Sequence, residues 1–139
     1  MEQKTYGLIG LGLIGGSLAK ALKRSQPDCR ILAYTRSSDT LKAALSQGII
    51  DDTCASPGDS KFQECGYVFL CAPVSTNIRA LEQLKDSASS SCVLTDVGSV
   101  KTEIHEAASR MGLDGRFIGG HPMTSRRPSG LRKTILLYN

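Results

Sequence analysis

Three groups of residues have types and spacings that could do chemistry. Gly10, Gly12 and Gly15 form G-x-G-x-x-G within "GLIGLGLIGGSLAKALK". Glycines at this spacing permit a tight turn, bring bare backbone close to a ligand and let a following helix pack closely on the preceding strand. The N–H groups at the start of that helix favour an anion. Thr35, Arg36 and Ser37 stand together in "AYTRSS". A guanidinium flanked by hydroxyls can fork onto a phosphate, and the same arginine can also be simply solvated. His121 sits in "FIGGHPM", after two glycines and before Pro122. An imidazole on such an extended loop is a candidate acid or base, because it titrates near neutrality.

These groups need elements to position them. Tyr6–Ile9 reads as a short buried strand, and Leu18, Ala19 and Leu22 recur at helical spacing in a helix over Gly16–Arg24. A strand, a glycine turn and a helix in this order are the context that a dinucleotide fingerprint requires. A Walker loop is excluded, since no lysine follows Gly15. Further strands are expected at Arg30–Tyr34, within "GIIDDT", at Tyr67–Cys71, Cys92–Thr95 and Arg116–Gly119. Helices are expected at Ser38–Gln47, capped by Ser37 or Ser38 and stopped at Gly48. Others are expected at Thr76–Lys85, with Ile78, Leu81 and Leu84 on one stripe, and at Val100–Met111, with a further start at Leu131–Tyr138. Continuous apolar strands between helices predict a parallel sheet covered on both faces. The fold class is therefore α/β, a doubly wound, Rossmann-type, mostly parallel sheet in a single domain. Its ligand belongs at the carboxyl ends of the strands.

The end of the second strand chooses the nucleotide. An NAD site of this type wants an acid there for the ribose 2′-hydroxyl. Asp28 precedes the strand and lies at the wrong end of the sheet. Asp39 comes later and suits a helix N-terminus. The acid is missing and Arg36 is present, so NADP is expected rather than NAD. Gly10, Gly12, Leu13, Ile14 and Gly15 are the expected phosphate side, and Thr35, Arg36 and Ser37 the expected 2′-phosphate side. Ala72, Pro73 and Val74 follow the next apolar strand; they suit the flat edge of a nicotinamide, or a plain turn. In "TDVGSVK", Ser99 can be a helix N-cap or a ligand hydroxyl. Lys101 and His105 receive no role. The histidines and cysteines show no metal-ligand spacing.

Composition bounds the rest. The chain has 139 residues, 40% of them hydrophobic and 22% charged, as in an ordinary soluble domain. A net charge of +4 fits an anionic small ligand. No basic run is interleaved with aromatics, which argues against nucleic acid. The five cysteines are odd in number and show no C-x-x-C pair. No signal peptide or membrane-length apolar run is seen, so free thiols and a cytoplasmic location are expected.

Together, "GLIGLGLIGGSLAKALK", "TDVGSVK" and "FIGGHPM" resemble the prephenate/arogenate dehydrogenase family of tyrosine biosynthesis, over nearly the whole chain. The resemblance implies oxidation of prephenate or arogenate by NAD or NADP with loss of the ring carboxylate. It implies that His121 bonds the ring hydroxyl and takes its proton. Ser99 would help hold that hydroxyl or the nicotinamide side. The family pattern continues after G-H-P-M with Ala-Gly-Ser-Glu or close variants. Here "TSRRPSG" places Arg127 near the expected glutamate, and Arg126 and Arg127 could be solvated or could meet a substrate carboxylate. The family also carries a helical second domain that pairs subunits and completes the substrate site. This chain stops at "LRKTILLYN", so residues 1–139 are expected to be the dinucleotide-binding domain alone, poorly active in isolation, with the "ILLY" edge a route to a homodimer. Another β-hydroxyacid dehydrogenase or imine reductase of the same fold, or a non-catalytic NADP-binding module, are the competing readings.

Overall fold

The structure is a computed structural model and describes residues 3–97 and 102–119. In chain order the elements are β1 Thr5–Ile9, α1 Leu13–Ser25, β2 Arg30–Tyr34, α2 Ser38–Ser46 and β3 Asp52–Thr53. A 3₁₀ helix Ser60–Glu64, β4 Tyr67–Leu70, α3 Val74–Ser87, β5 Val93–Asp96, α4 Thr102–Arg110 and β6 Phe117–Gly119 follow. The strands form one sheet in the order β3-β2-β1-β4-β5-β6, and every pairing is parallel. This is the doubly wound order. β1 lies between β2 and β4, and Ile9 pairs with both Tyr34 and Leu70, so three strands end level with one another.

Alternating strand residues divide the core into two layers. Leu8, Ile31, Ala33 and Phe69 pack with Leu18, Ala19 and Leu22 of α1 and Ala44 of α2. Ile9, Leu32, Val68, Leu70 and Leu94 pack with Leu81 and Leu84 of α3 and Ile104 of α4. Successive strand side chains point to opposite faces. A strand buried on both sides therefore reads as an unbroken apolar run, as "YVFL" does. Among the described residues no helix is long and apolar enough to cross a membrane.

The boundaries differ from the sequence expectation where glycine and proline are involved. α1 begins at Leu13, not Gly16: the Gly16 N–H donates to the Gly12 carbonyl at 2.8 Å, so the end of the glycine motif is already helix. Each internal glycine disfavours helix by about 1 kcal/mol relative to alanine; here the buried packing of Gly15 and Leu18 outweighs it. α3 begins at Val74, two residues early, because Pro73 at φ −58° already has the geometry that leads into a helix. Cys71 falls outside β4, although its N–H still donates to Ile9 O. The 3₁₀ helix was not foreseen; Asp59 caps it by accepting from the Lys61 N–H, and it delivers Phe62 fully buried onto the sheet. The expected helix at Leu131–Tyr138 lies outside the described residues.

All five cysteines are free. Burial pushes the Cys54 thiol up to about 12 and the Cys92 thiol up to about 11, and raises that of Cys65.

Candidate functional site

The glycine motif builds the site in three different ways. Gly10 has φ +96°, a region that L side chains rarely adopt, and its N–H donates to Tyr34 O at 2.7 Å. A Cβ there would also press on the Ala72 backbone nitrogen at 3.0 Å. A Cβ on Gly15 would overlap the Gly10 carbonyl oxygen, so this residue lets α1 close onto the turn. Gly12 faces open space, with nothing within 4 Å of its Cβ position. The turn is thus tight at Gly10, closed at Gly15 and bare at Gly12.

The N-terminus of α1 has no side-chain cap and no acid in its first turn. α2 is the contrast. The Ser37 hydroxyl accepts from the Thr40 N–H at 3.2 Å, and Asp39 lies in its first turn. The positive end of α2 is served from within the chain; that of α1 has no acidic group of its own.

At the carboxyl ends of β1, β2 and β4 these residues meet in a cleft of about 200 Å³. It is lined by Gly10, Gly12, Thr35, Arg36, Ala72 and Pro73, among others. Three stretches that the sequence singled out separately therefore share one wall. The volume is below the ~300–1,000 Å³ of a drug-sized ligand site, so the cleft suits one part of an extended dinucleotide. Arg36 is exposed and makes no hydrogen bond or ion pair among the described residues. Thr35 and Ser37, not an acid, flank it on the chain. Of the other expected cofactor residues, Ser37 is engaged as the α2 cap, and Val74 packs on the α3 side of the core. Leu13 is 89% exposed beside the glycine turn, and Ile14 is exposed next to it.

A larger open cavity, about 710 Å³, lies at the opposite edge of the sheet, among Lys4, Lys23, Asp28 and Asp51. Two of its four charges are paired internally: Lys23 donates to Cys29 O and to Asp51, and Asp51 also accepts from the Ile31 N–H. Asp28 belongs here, away from the cleft, as its place before β2 requires. Size does not make this cavity the functional one.

Sequence reasoning missed Asn77. It is 1% exposed at the fourth position of α3. Its Oδ1 accepts from the Ala72 N–H at 3.1 Å, and its Nδ2 donates to Ala72 O at 2.8 Å and to Asp96 Oδ1 at 3.3 Å. Asp96, at the end of β5, is also 1% exposed. The available signal was an asparagine inside a helix, where its type is disfavoured unless it bonds locally. Ser99 and His121, the expected catalytic pair, and Arg126 and Arg127 lie outside the described residues. Among the described residues no cluster of His, Cys, Asp or Glu could hold a metal ion.

A family model described as the nucleotide-binding domain of prephenate dehydrogenase matches residues 18–135. The chain belongs to this family. It is 39% identical over 130 residues to a prephenate dehydrogenase of Bacillus subtilis, a match covering 91% of this chain and 34% of that protein. Among solved structures it resembles a prephenate dehydrogenase from A. aeolicus in complex with hydroxyphenyl propionate and NAD+. That match has a TM-score of 0.79 and 31% identity, over 94% of this chain and 46% of the other. A Synechocystis arogenate dehydrogenase matches with a TM-score of 0.75 and 37% identity, over 85% and 40% of the two chains. The chain spans about a third of the length of the curated relatives it matches.

Proposed function

We propose that this chain is the cofactor-holding part of an NADP-dependent dehydrogenase that oxidatively decarboxylates prephenate or arogenate. The observation that carries the cofactor choice is the cleft itself. Arg36 and Thr35 line it together with the bare backbone of Gly12, and no carboxylate stands at the end of β2. In this reading the uncapped start of α1 faces the pyrophosphate, and Leu13, Ile14 and Gly15 carry its N–H groups. Arg36 forks onto the 2′-phosphate, with Thr35 and Ser37 beside it, and the Ala72–Val74 turn flanks the nicotinamide.

The bound nicotinamide supplies a hydride acceptor. His121 accepts the hydroxyl proton of the substrate as hydride leaves the same carbon, and Ser99 steadies that hydroxyl. The ring carboxylate then departs as carbon dioxide; its electron pair passes through the ring to the carbonyl oxygen just formed, which takes back the proton held by His121, and the ring ends as an aromatic phenol. These roles for His121 and Ser99 rest on the family motifs. A homodimer through the "ILLY" run belongs to the same reading, rests on residues outside the described part, and is tested by light scattering.

Calorimetric titration with NADP+ and, separately, NAD+ tests the cofactor assignment. NADP+ is expected to bind more tightly, and Arg36→Ala is expected to remove the preference. One charge-assisted contact is worth about 1.5–3 kcal/mol, or roughly ten- to a hundredfold in affinity. Equal or tighter binding of NAD+ would overturn the assignment to Arg36.

A further inference from the structure

We propose that Arg79 is a second specificity-determining cation of the cleft, and that it closes with Arg36 on the 2′-phosphate of NADP+. The inference rests on the cofactor choice proposed above and adds a residue to it.

Two arginines stand at the cleft, and no acid. Thr35 and Arg36 line it from just past the end of β2, and Thr76, the third residue of α3, lines it as well. Arg79 lies three residues further along α3, and residues three apart are neighbours on a helix surface. Helical side chains lean toward the N-terminus, so its guanidinium is carried back over the first turn. There its Nη2 donates to Thr76 Oγ1 at 3.5 Å, which sets the charge beside a group that lines the cleft. That contact is long and uses one of five N–H donors. Among the described residues neither Arg36 nor Arg79 enters an ion pair, and the cleft lining includes no carboxylate.

This placement is unfavourable to the helix itself. The first turn of α3 holds no acid. A cation drawn toward that end opposes the helix dipole. The other basic residue of α3, Lys85, lies in the last turn, where the dipole favours it. An anion in the cleft makes the position of Arg79 favourable. Charge decides which anion. A phosphate monoester carries about −1.5 to −2 near neutral pH, enough for two guanidinium groups, while the 2′-hydroxyl of NAD+ carries none. In a cleft of about 200 Å³, one such group meets both arginines.

Calorimetric titration of the 139-residue chain with NADP+ and with NAD+ tests the inference. Arg79→Gln is expected to weaken NADP+ about tenfold and to leave NAD+ within about twofold. Arg79→Lys keeps the charge without the fork and is expected to recover part of that loss. Lys85→Gln removes the same charge from the other end of α3 and is expected to leave both ligands within about twofold, which separates a contact from a change in net charge. Two cations on one group act as a pair, so adding Arg79→Gln to Arg36→Ala is expected to cost nothing further. Equal losses of NADP+ and NAD+ in Arg79→Gln would place Arg79 on a part that both cofactors share. An unchanged preference would leave it in solvent, and a further loss in the double variant would make it an independent charge. Each of these overturns the inference, as does a Lys85→Gln effect as large as that of Arg79→Gln. A wild-type chain with no preference for NADP+ would instead remove the cofactor choice, and the inference with it.

Discussion

The three glycines of one motif do three separable jobs, and substitutions should separate them. Gly15→Ala forces a methyl into the Gly10 carbonyl. Overpacking of this kind typically costs about 1–3 kcal/mol, so the variant should melt earlier and lose nucleotide together. Gly12→Ala meets open space. Its melting temperature should change little, while NADP+ affinity falls, because a Cβ would stand where the phosphates approach. Thermal melts and titrations of the two variants check the distinction; a Gly12→Ala chain that binds normally would remove Gly12 from the site. The glycine turn and the place of Arg36 on the cleft were legible because each follows from a local signal, a glycine required by its own backbone and a residue just past a strand end. Asn77 was not, because its partners, Ala72 and Asp96, come together only when β4 and β5 pair.

Helix starts follow the same logic one level up. α2 carries its own cap and first-turn acid, and "TRSSD" announces both. Replacing Ser37 with alanine removes the bond to the Thr40 N–H and should cost about 1 kcal/mol, read by urea unfolding. The same variant decides whether Ser37 also serves the 2′-phosphate: NADP+ affinity should fall relative to NAD+ only if it does. α1 was placed three residues late because its first turn contains the glycines that usually signal a loop. α3 was placed two residues late because Pro73 reads equally well as a turn or as a helix entrance. Close packing at Gly15 settles the first case, and the Pro73 backbone settles the second. The 3₁₀ helix left no periodic pattern at all; Phe62, packed beside Gly7 and Val68, holds it together with the Asp59 cap and the bonds that Lys61 and Gln63 donate to Thr53 O and Ser87 O.

For the whole molecule, the alternation of apolar strands and helices was enough to give the layered parallel sheet, since few arrangements bury both faces of such strands. The expected catalytic histidine and serine are another matter, because their roles rest on motifs beyond the described residues. Burial of the thiols has a measurable effect on the entire fold. Cys54, Cys65 and Cys92 hold their protons more tightly folded than unfolded. Between an unfolded value near 9 and the raised folded values, only the unfolded chain ionises. Stability is therefore intact below about pH 9 and falls as pH rises, by about 1.4 kcal/mol per pH unit for each such thiol. Urea unfolding at pH 8 and pH 10 should show the loss, and Cys54→Ala should flatten its pH slope.

The central place of β1 has a consequence for how the chain comes to be folded. Of the six described strands, β1 is made before the other five yet sits in the middle of the sheet, and Tyr6 must wait for Tyr67 to be made before it gains its second neighbour. Until then β1 has no neighbour on its side away from β2, and the glycine turn has only half its floor, because the Ala72 backbone that Gly10 abuts has not yet been synthesised. Closing so long a loop is slow compared with forming a helix. A nascent chain halted before β4 would present an apolar strand edge to solvent, and a chaperone that shields such edges would find its target there.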